Sequence, residues 1–334
     1  MKLFSFILLT SIVILFTACS TKKVYEPNFV VSDWQEYGDS NETISDVASN
    51  IALLKSGKIL SKDSLIDMQK IEESFRILSL SDGWIISSNI DGNLTLDYVA
   101  DTSMQEKFEL KKTVAAASVK DNILAILFAD NEMALYSIST KELIFKERGN
   151  SQKIIDSRVV NPYFMNDLVL FSTLDGKVII VNSKLKKRLR TVIVSSEDNF
   201  NNIIYFNIMD NKIIAVTTHK ILSMGEKEIR VKYEIRDVIG VDDSIFITTK
   251  QGEVISLTSD LKLKAKIKFP FAHFLGMIYN NDKLYLLEKD GYLIEMNKNL
   301  SDYKVYEVDI EDGYIFVADK KFYVDEEYIS TEQK

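Results

Sequence analysis

The side chains that carry most enzyme chemistry are scarce in this chain of 334 residues, which has one cysteine, Cys19, and two histidines, His219 and His273. A transition-metal site draws on several imidazole, thiolate or carboxylate ligands that converge in space. Two histidines far apart in sequence read instead as satisfied or exposed side chains. No Gly-x-Ser-x-Gly elbow presents a serine nucleophile, and Ser56-Gly57-Lys58 lacks the spacing of a phosphate-binding loop. Asp-Gly pairs recur at Asp91-Gly92, Asp175-Gly176 and Asp290-Gly291. They are not followed by the alternating carboxylates and closing glutamate of a calcium loop, so they read as turns. The sequence therefore predicts no catalytic residue, no cofactor and no metal, and a chain that is not an enzyme.

One charged run stands out against an acidic background: Lys184, Lys186, Lys187, Arg188 and Arg190, within KLKKRLR. Two chemistries suit it. It can contact an acidic partner surface or anionic head groups, or it can be a strand edge kept basic so that it does not pair with another sheet. Lys plus Arg number 41 against 49 Asp plus Glu, a net charge of −8, which repels nucleic acid and excludes it as a partner.

These residues are positioned by strands. Leu170 to Val181 places two apolar, β-branched runs on either side of Asp175-Gly176, a hairpin signal that predicts a primed turn with positive φ. The same pattern recurs with turns at or near residues 57, 92, 131, 176, 220, 252, 291 and 321, in steps of 30 to 45 residues. Each unit holds four short strands, and the first unit ends in a segment from Asp67 to Ile71. That spacing is the unit of a β-propeller, whose blades are four-stranded sheets. No helical periodicity long enough for an α/β fold appears. The expected fold is all-β, a single propeller of eight blades, with seven as the alternative if a terminal unit packs outside the ring.

An open ring leaves strand edges unpaired. The eighth unit is short, and the run Phe29 to Trp34 has no unit of its own, so residues 29–37 are expected to complete the last blade and close the ring. The strand ahead of each hairpin is the natural inner one, and Ala115-Ala116-Ala117 suits a crowded position near the axis as well as an ordinary packed strand.

Residues 1–18 are of a different composition: Lys2, an apolar and hydroxyl run from Leu3 to Phe16, then Thr17-Ala18. They read as a signal peptide, too short for a comfortable span. The box Phe16-Thr17-Ala18-Cys19 resembles that of bacterial lipoprotein precursors, whose cysteine receives lipid. A lone cysteine in an exported protein is otherwise a free-thiol liability. Residues 19–28 are then a polar tether and 29–334 the propeller. Loss of Lys2 leaves 40 Lys plus Arg against 49 Asp plus Glu.

The order of apolar strand, Asp-Gly-Lys turn, apolar strand, polar turn and basic strand is similar to the pyrroloquinoline-quinone-type propeller repeat over roughly residues 40–330. Together with the lipoprotein signal it resembles the BamB-like propeller lipoproteins. The resemblance implies a non-catalytic scaffold, lipid-anchored in the bacterial envelope, facing the periplasm from the outer membrane and monomeric outside its complex. It also implies protein partners, those of outer-membrane β-barrel assembly. The alternatives are a quinone- or sugar-binding enzyme or sensor, and an adhesin-type binding protein. Quinone-dependent dehydrogenases of this fold use a bound cofactor, a metal and an acidic base, and many carry an adjacent cysteine pair that is absent here.

Overall fold

The computed structural model describes residues 23–332 apart from 41, 63, 64, 68–70, 73, 311 and 312, so the segment expected to be a signal peptide and Cys19 lie outside the described residues. The described residues form 32 strands and no helix, gathered into eight antiparallel four-stranded sheets. Blade four shows the common plan: a first strand Tyr163–Met165, the pair Leu168–Ser172 and Lys177–Asn182, and an outer strand Lys187–Ile193, each paired with its sequence neighbour. First strands approach those of adjacent blades and so line the axis. A blade's middle strands have neighbours on both faces, so their apolar runs are nearly continuous and Val169, Leu170, Phe171, Val178 and Val181 are all fully buried. Outer strands alternate instead: in blade six, Leu263–Lys268 exposes Lys264, Lys266 and Lys268 and half-buries Ala265 and Ile267.

The blade count follows from where the apolar side chains meet. Eight clusters of buried residues lie one between each neighbouring pair of blades. The cluster that completes the circle sets Ile44, Ala52, Leu54 and Leu60 of blade one against Phe316 and Ala318 of blade eight. The ring has eight blades, not seven.

Closure uses the N-terminal segment, but not in the expected register. Tyr37–Asp39 is the strand that completes blade eight, with Tyr37 opposite Ile329 and Asp39 opposite Glu327. Residues 31–34 instead run parallel to the outer strand of blade seven, Tyr303–Glu307. Val31 N donates to Val305 O at 2.9 Å and Trp34 N to Glu307 O at 2.8 Å. The boundary at 29–37 is thus corrected, because the apolar run finds a free edge one blade earlier than the one it was expected to complete. The tether is corrected too. Tyr25 is 5% exposed and packs edge-on to Phe269 and Tyr292, with ring centroids 5.9 and 5.7 Å away, so residues 23–28 are docked on the ring rather than free.

The turns also differ from the hairpin reading. At Asp175-Gly176, Thr173 N donates to Lys177 O at 2.9 Å, closing a three-residue loop in which only Gly176 has positive φ, 78°. A three-residue loop ending in a left-handed residue is the next commonest hairpin connection after the two-residue primed turns. Glycine is needed there, since a Cβ would lie 2.5 Å from Asn201 Nδ2 and 2.6 Å from Ser195 O. Two-residue turns with both φ values positive occur one strand earlier, at Asp210-Asn211, Asn281-Asp282 and Asp319-Lys320. The last of these is the turn expected near 321; it joins the first two strands of blade eight, whose second and third strands turn at Asp325-Glu326. The fourth strand of blade one is Leu65–Ile66, ahead of the expected segment from Asp67 to Ile71.

Candidate functional site

The axial space is partly filled by the chain itself. The connection from blade three to blade four, residues 149–162, brings Asn161 across to blade one, where its Nδ2 donates to Ser49 Oγ at 2.5 Å. Beside it lies a cavity of 640 Å³ bounded by residues from blades one to five, among them Asn50, Ser81, Ser118, Tyr163 and Tyr205. Its polar lining is largely engaged within the protein: Asn50 Nδ2 donates to Leu80 O at 2.8 Å and Ser81 Oγ to Val119 O at 2.7 Å.

The same connection carries a charged cluster that sequence reading missed. Arg158 grips Asp156 with two hydrogen bonds, from Nε at 2.8 Å and Nη2 at 2.7 Å, and its Nη1 donates to the carbonyl of Arg236. Asn202 holds the loop in place, donating to the carbonyls of Asp156 and Arg158 and accepting from Asp156 N. Burial pushes the Asp156 carboxyl up, but the Arg158 guanidinium outweighs it and holds the carboxyl below the usual range. Arg236 occupies the extra position of a bulge between Ile235 and Asp237, a device that re-aims a side chain. Its Nη1 meets His273 Nε2. A guanidinium only donates, so that ring nitrogen accepts and the imidazole hydrogen sits on Nδ1. His273 N in turn donates to Glu288 Oε1 at 2.8 Å.

Burial raises Asp237 to about 6, against the opposing pull of Val238 N–H and Arg158. Burial also pushes Glu288 up, opposed by hydrogen bonds from the His273 and Asp290 N–H groups. Burial keeps a proton on Asp237 below about pH 6, while the cluster locks the loop against blade six. It pairs no nucleophile with a base. His219, on the turn of blade five, is separate from it. Among the described residues no group of three or more His, Cys, Asp or Glu is arranged to hold a metal.

The predicted basic run lies where the strand order puts it, at the outer edge of blade four. Three of its members are engaged: Lys184 with Asp167 at 2.9 Å, Arg188 with Glu147 of blade three, and Arg190 with Glu228 of blade five at 2.6 Å. Lys186 lies in the turn at φ 53° and Lys187 opens the outer strand. Among the described residues neither makes an ion pair, so the free charge of the run comes down to these two lysines. A groove of 780 Å³ between blades seven and eight has the opposite sign, lined by Asp33, Asp290, Glu307, Asp309 and Glu327 with Tyr37 and Tyr292.

A closed ring of eight four-stranded blades with charged outer edges and a partly plugged axis is an eight-bladed β-propeller. BamB from Moraxella catarrhalis superposes with a TM-score of 0.67, over 88% of this chain and 98% of that one, at 12% identity. The C-terminal WD40 domain of Sif2 superposes at 0.62, over 90% and 98%, at 11% identity. Both likenesses are of fold. In sequence the chain is similar to the plasminogen-binding protein PgbB of two Helicobacter pylori strains. It is 28% identical to each over 364 aligned positions, which cover 95% of this chain and 67% of the relative. No family model matches the chain.

Proposed function

We propose that this chain is a non-catalytic, protein-binding propeller tethered to the bacterial cell envelope through lipid on Cys19. The observation that carries the reading is the similarity to a protein named for plasminogen binding, because it runs through 95% of the chain and so involves the whole ring rather than one motif. Propellers present their connections and outer edges as broad surfaces on a rigid scaffold, and function concentrates on such connections. Lys186 and Lys187 are the part of the basic edge left to meet an acidic partner surface, while Lys184, Arg188 and Arg190 serve the edge itself.

The test is direct binding of plasminogen to the mature lipidated protein held in a supported bilayer. Saturable binding that weakens on Lys186→Glu with Lys187→Glu supports the reading, and no binding at micromolar plasminogen refutes this choice of partner. A second reading, a scaffold in outer-membrane β-barrel assembly, is favoured by the likeness to BamB over 98% of that chain, which supports a shared architecture. Affinity capture from envelope membranes separates the two: recovery of barrel-assembly subunits selects the second, and their absence selects the first.

A further inference from the structure

The docked N-terminal segment carries a consequence for how the ring meets its membrane. We propose that the rim of blades six and seven around Phe271 is the face that lies on the bilayer to which Cys19 anchors the protein. This rests on the lipid-anchor reading of Cys19.

Three observations carry it. The first is reach. Lys23 Nζ sits 5.4 Å from the centre of the Phe271 ring, and Cys19 is four residues upstream of Lys23. Four residues span at most ~14 Å when fully extended. A globular chain of this length has a radius of gyration of about 20 Å and is thus ~50 Å across, so the leash cannot carry the lipid round to another face. The second is fixation. Tyr25 is buried between Phe269 and Tyr292, and residues 31–34 are hydrogen-bonded along blade seven, so the exit point of the tether is held rigidly to these two blades. The third is the surface that surrounds that exit point. Phe29 is 73% exposed, Phe271 55%, Tyr303 45% and Val24 44%.

Phe271 stands out further, because it projects from a loop at φ 68°, a conformation that bulky side chains rarely adopt. Lys23 and Lys268 flank the patch and, against the one carboxylate of Glu26, give it a surplus of cations suited to lipid phosphates, in a chain whose net charge is −8. Aromatic and apolar side chains rimmed by lysine are the surface that the bilayer interface accepts. The leash alone keeps this rim at high effective concentration near the membrane, so a weak surface preference is enough to fix orientation. In a ring of eight, blades two and three then point away from the bilayer, and the basic edge of blade four also lies off it, open to a partner.

The experiment uses the mature lipidated protein in vesicles of phosphatidylethanolamine and phosphatidylglycerol. Single cysteines carry a spin label, at Asn28→Cys beside the patch and at Lys107→Cys on the outer strand of blade two. The expected result is loss of collisions with a water-soluble nickel chelate and gain of collisions with oxygen at 28, with ordinary aqueous behaviour at 107. Phe271→Asp with Lys268→Glu should return the label at 28 to aqueous behaviour. Equal aqueous collisions at 28 and 107, with mass spectrometry showing acylated Cys19, overturn the docking alone. An unacylated Cys19 overturns the anchor and the docking with it. A label at 28 shielded from both quenchers reports protein, not lipid, over this rim and also overturns the proposal.

Discussion

Replacing Trp34 with alanine should cost this ring a large part of its stability, because one side chain joins the N-terminal segment to blades seven and eight. The indole is 5% exposed, packs edge-on against Tyr306 and Tyr285 with centroids 4.8 and 6.1 Å away, and donates from Nε1 to Ser330 O at 2.9 Å. Truncating a buried Phe or Trp to Ala costs about 4 kcal/mol. The lost indole hydrogen bond adds about 1 kcal/mol and strands the Ser330 carbonyl. A loss of about 5 kcal/mol is large against the ~5–15 kcal/mol of a typical domain. With a urea slope of about 3 kcal/mol/M, the midpoint should fall by roughly 1.7 M. Equilibrium urea unfolding followed by far-ultraviolet circular dichroism measures it. Trp34→Phe keeps ring packing and loses only the hydrogen bond and some contact, so its shift should be less than half as large. Midpoints for wild type and Trp34→Ala that agree within about 0.3 M would falsify the role given to the indole, since the backbone bonds of residues 31–34 would then suffice without the side chain.

Gly176→Ala should destabilise by about 2–4 kcal/mol in the same assay, through positive φ and the contacts with Asn201 and Ser195. Asp237→Asn should stabilise the ring at pH 8 by on the order of 2 kcal/mol and change nothing near pH 3. The sign follows from the raised carboxyl, which titrates at about 6 in the folded ring. The folded state holds the proton more tightly, so stability falls as pH rises from the unfolded value of about 4 to about 6. Paired melts of wild type and variant across that range check it, and a constant difference at every pH would reject the assignment. Tyr25→Ser should free residues 23–28 without opening the ring, seen as faster amide exchange confined to the N-terminal segment and the Lys268–Phe271 loop. Exchange that stayed slow there would show that Tyr25 does not hold the segment.

Much of the architecture was legible because its signals are local. Continuous apolar runs of four to six residues with punctuating Gly and Asp determine strands and spacing, and repetition of the unit eight times determines a propeller. What the turns look like was not legible. An Asp-Gly pair is compatible with both a primed two-residue turn and a three-residue loop ending in a left-handed glycine. The Gly176 carbonyl accepting from Val194 N at 2.9 Å, a contact with the blade's own outer edge, goes with the second. The charged cluster of Asp156, Arg158, Arg236 and Asp237 was invisible for a similar reason. Its members come from two segments some eighty residues apart, and only the bulge at Arg236 turns them toward each other.

The sequence by itself determined the strand content, the repeat, the acidic balance that repels nucleic acid, and a basic run on an outer edge, since each depends on neighbours within one unit. Only the tertiary structure decided which of those basic residues are already neutralised, because Glu147 and Glu228 come from other blades. It also decided where the N-terminal segment goes. A run of apolar residues pairs with whichever free edge lies within reach, and that edge exists only once the ring has formed. Residues 31–34 therefore lie on blade seven, Tyr37–Asp39 closes blade eight, and Tyr25, which reads as part of a polar leash, is buried between blades six and seven.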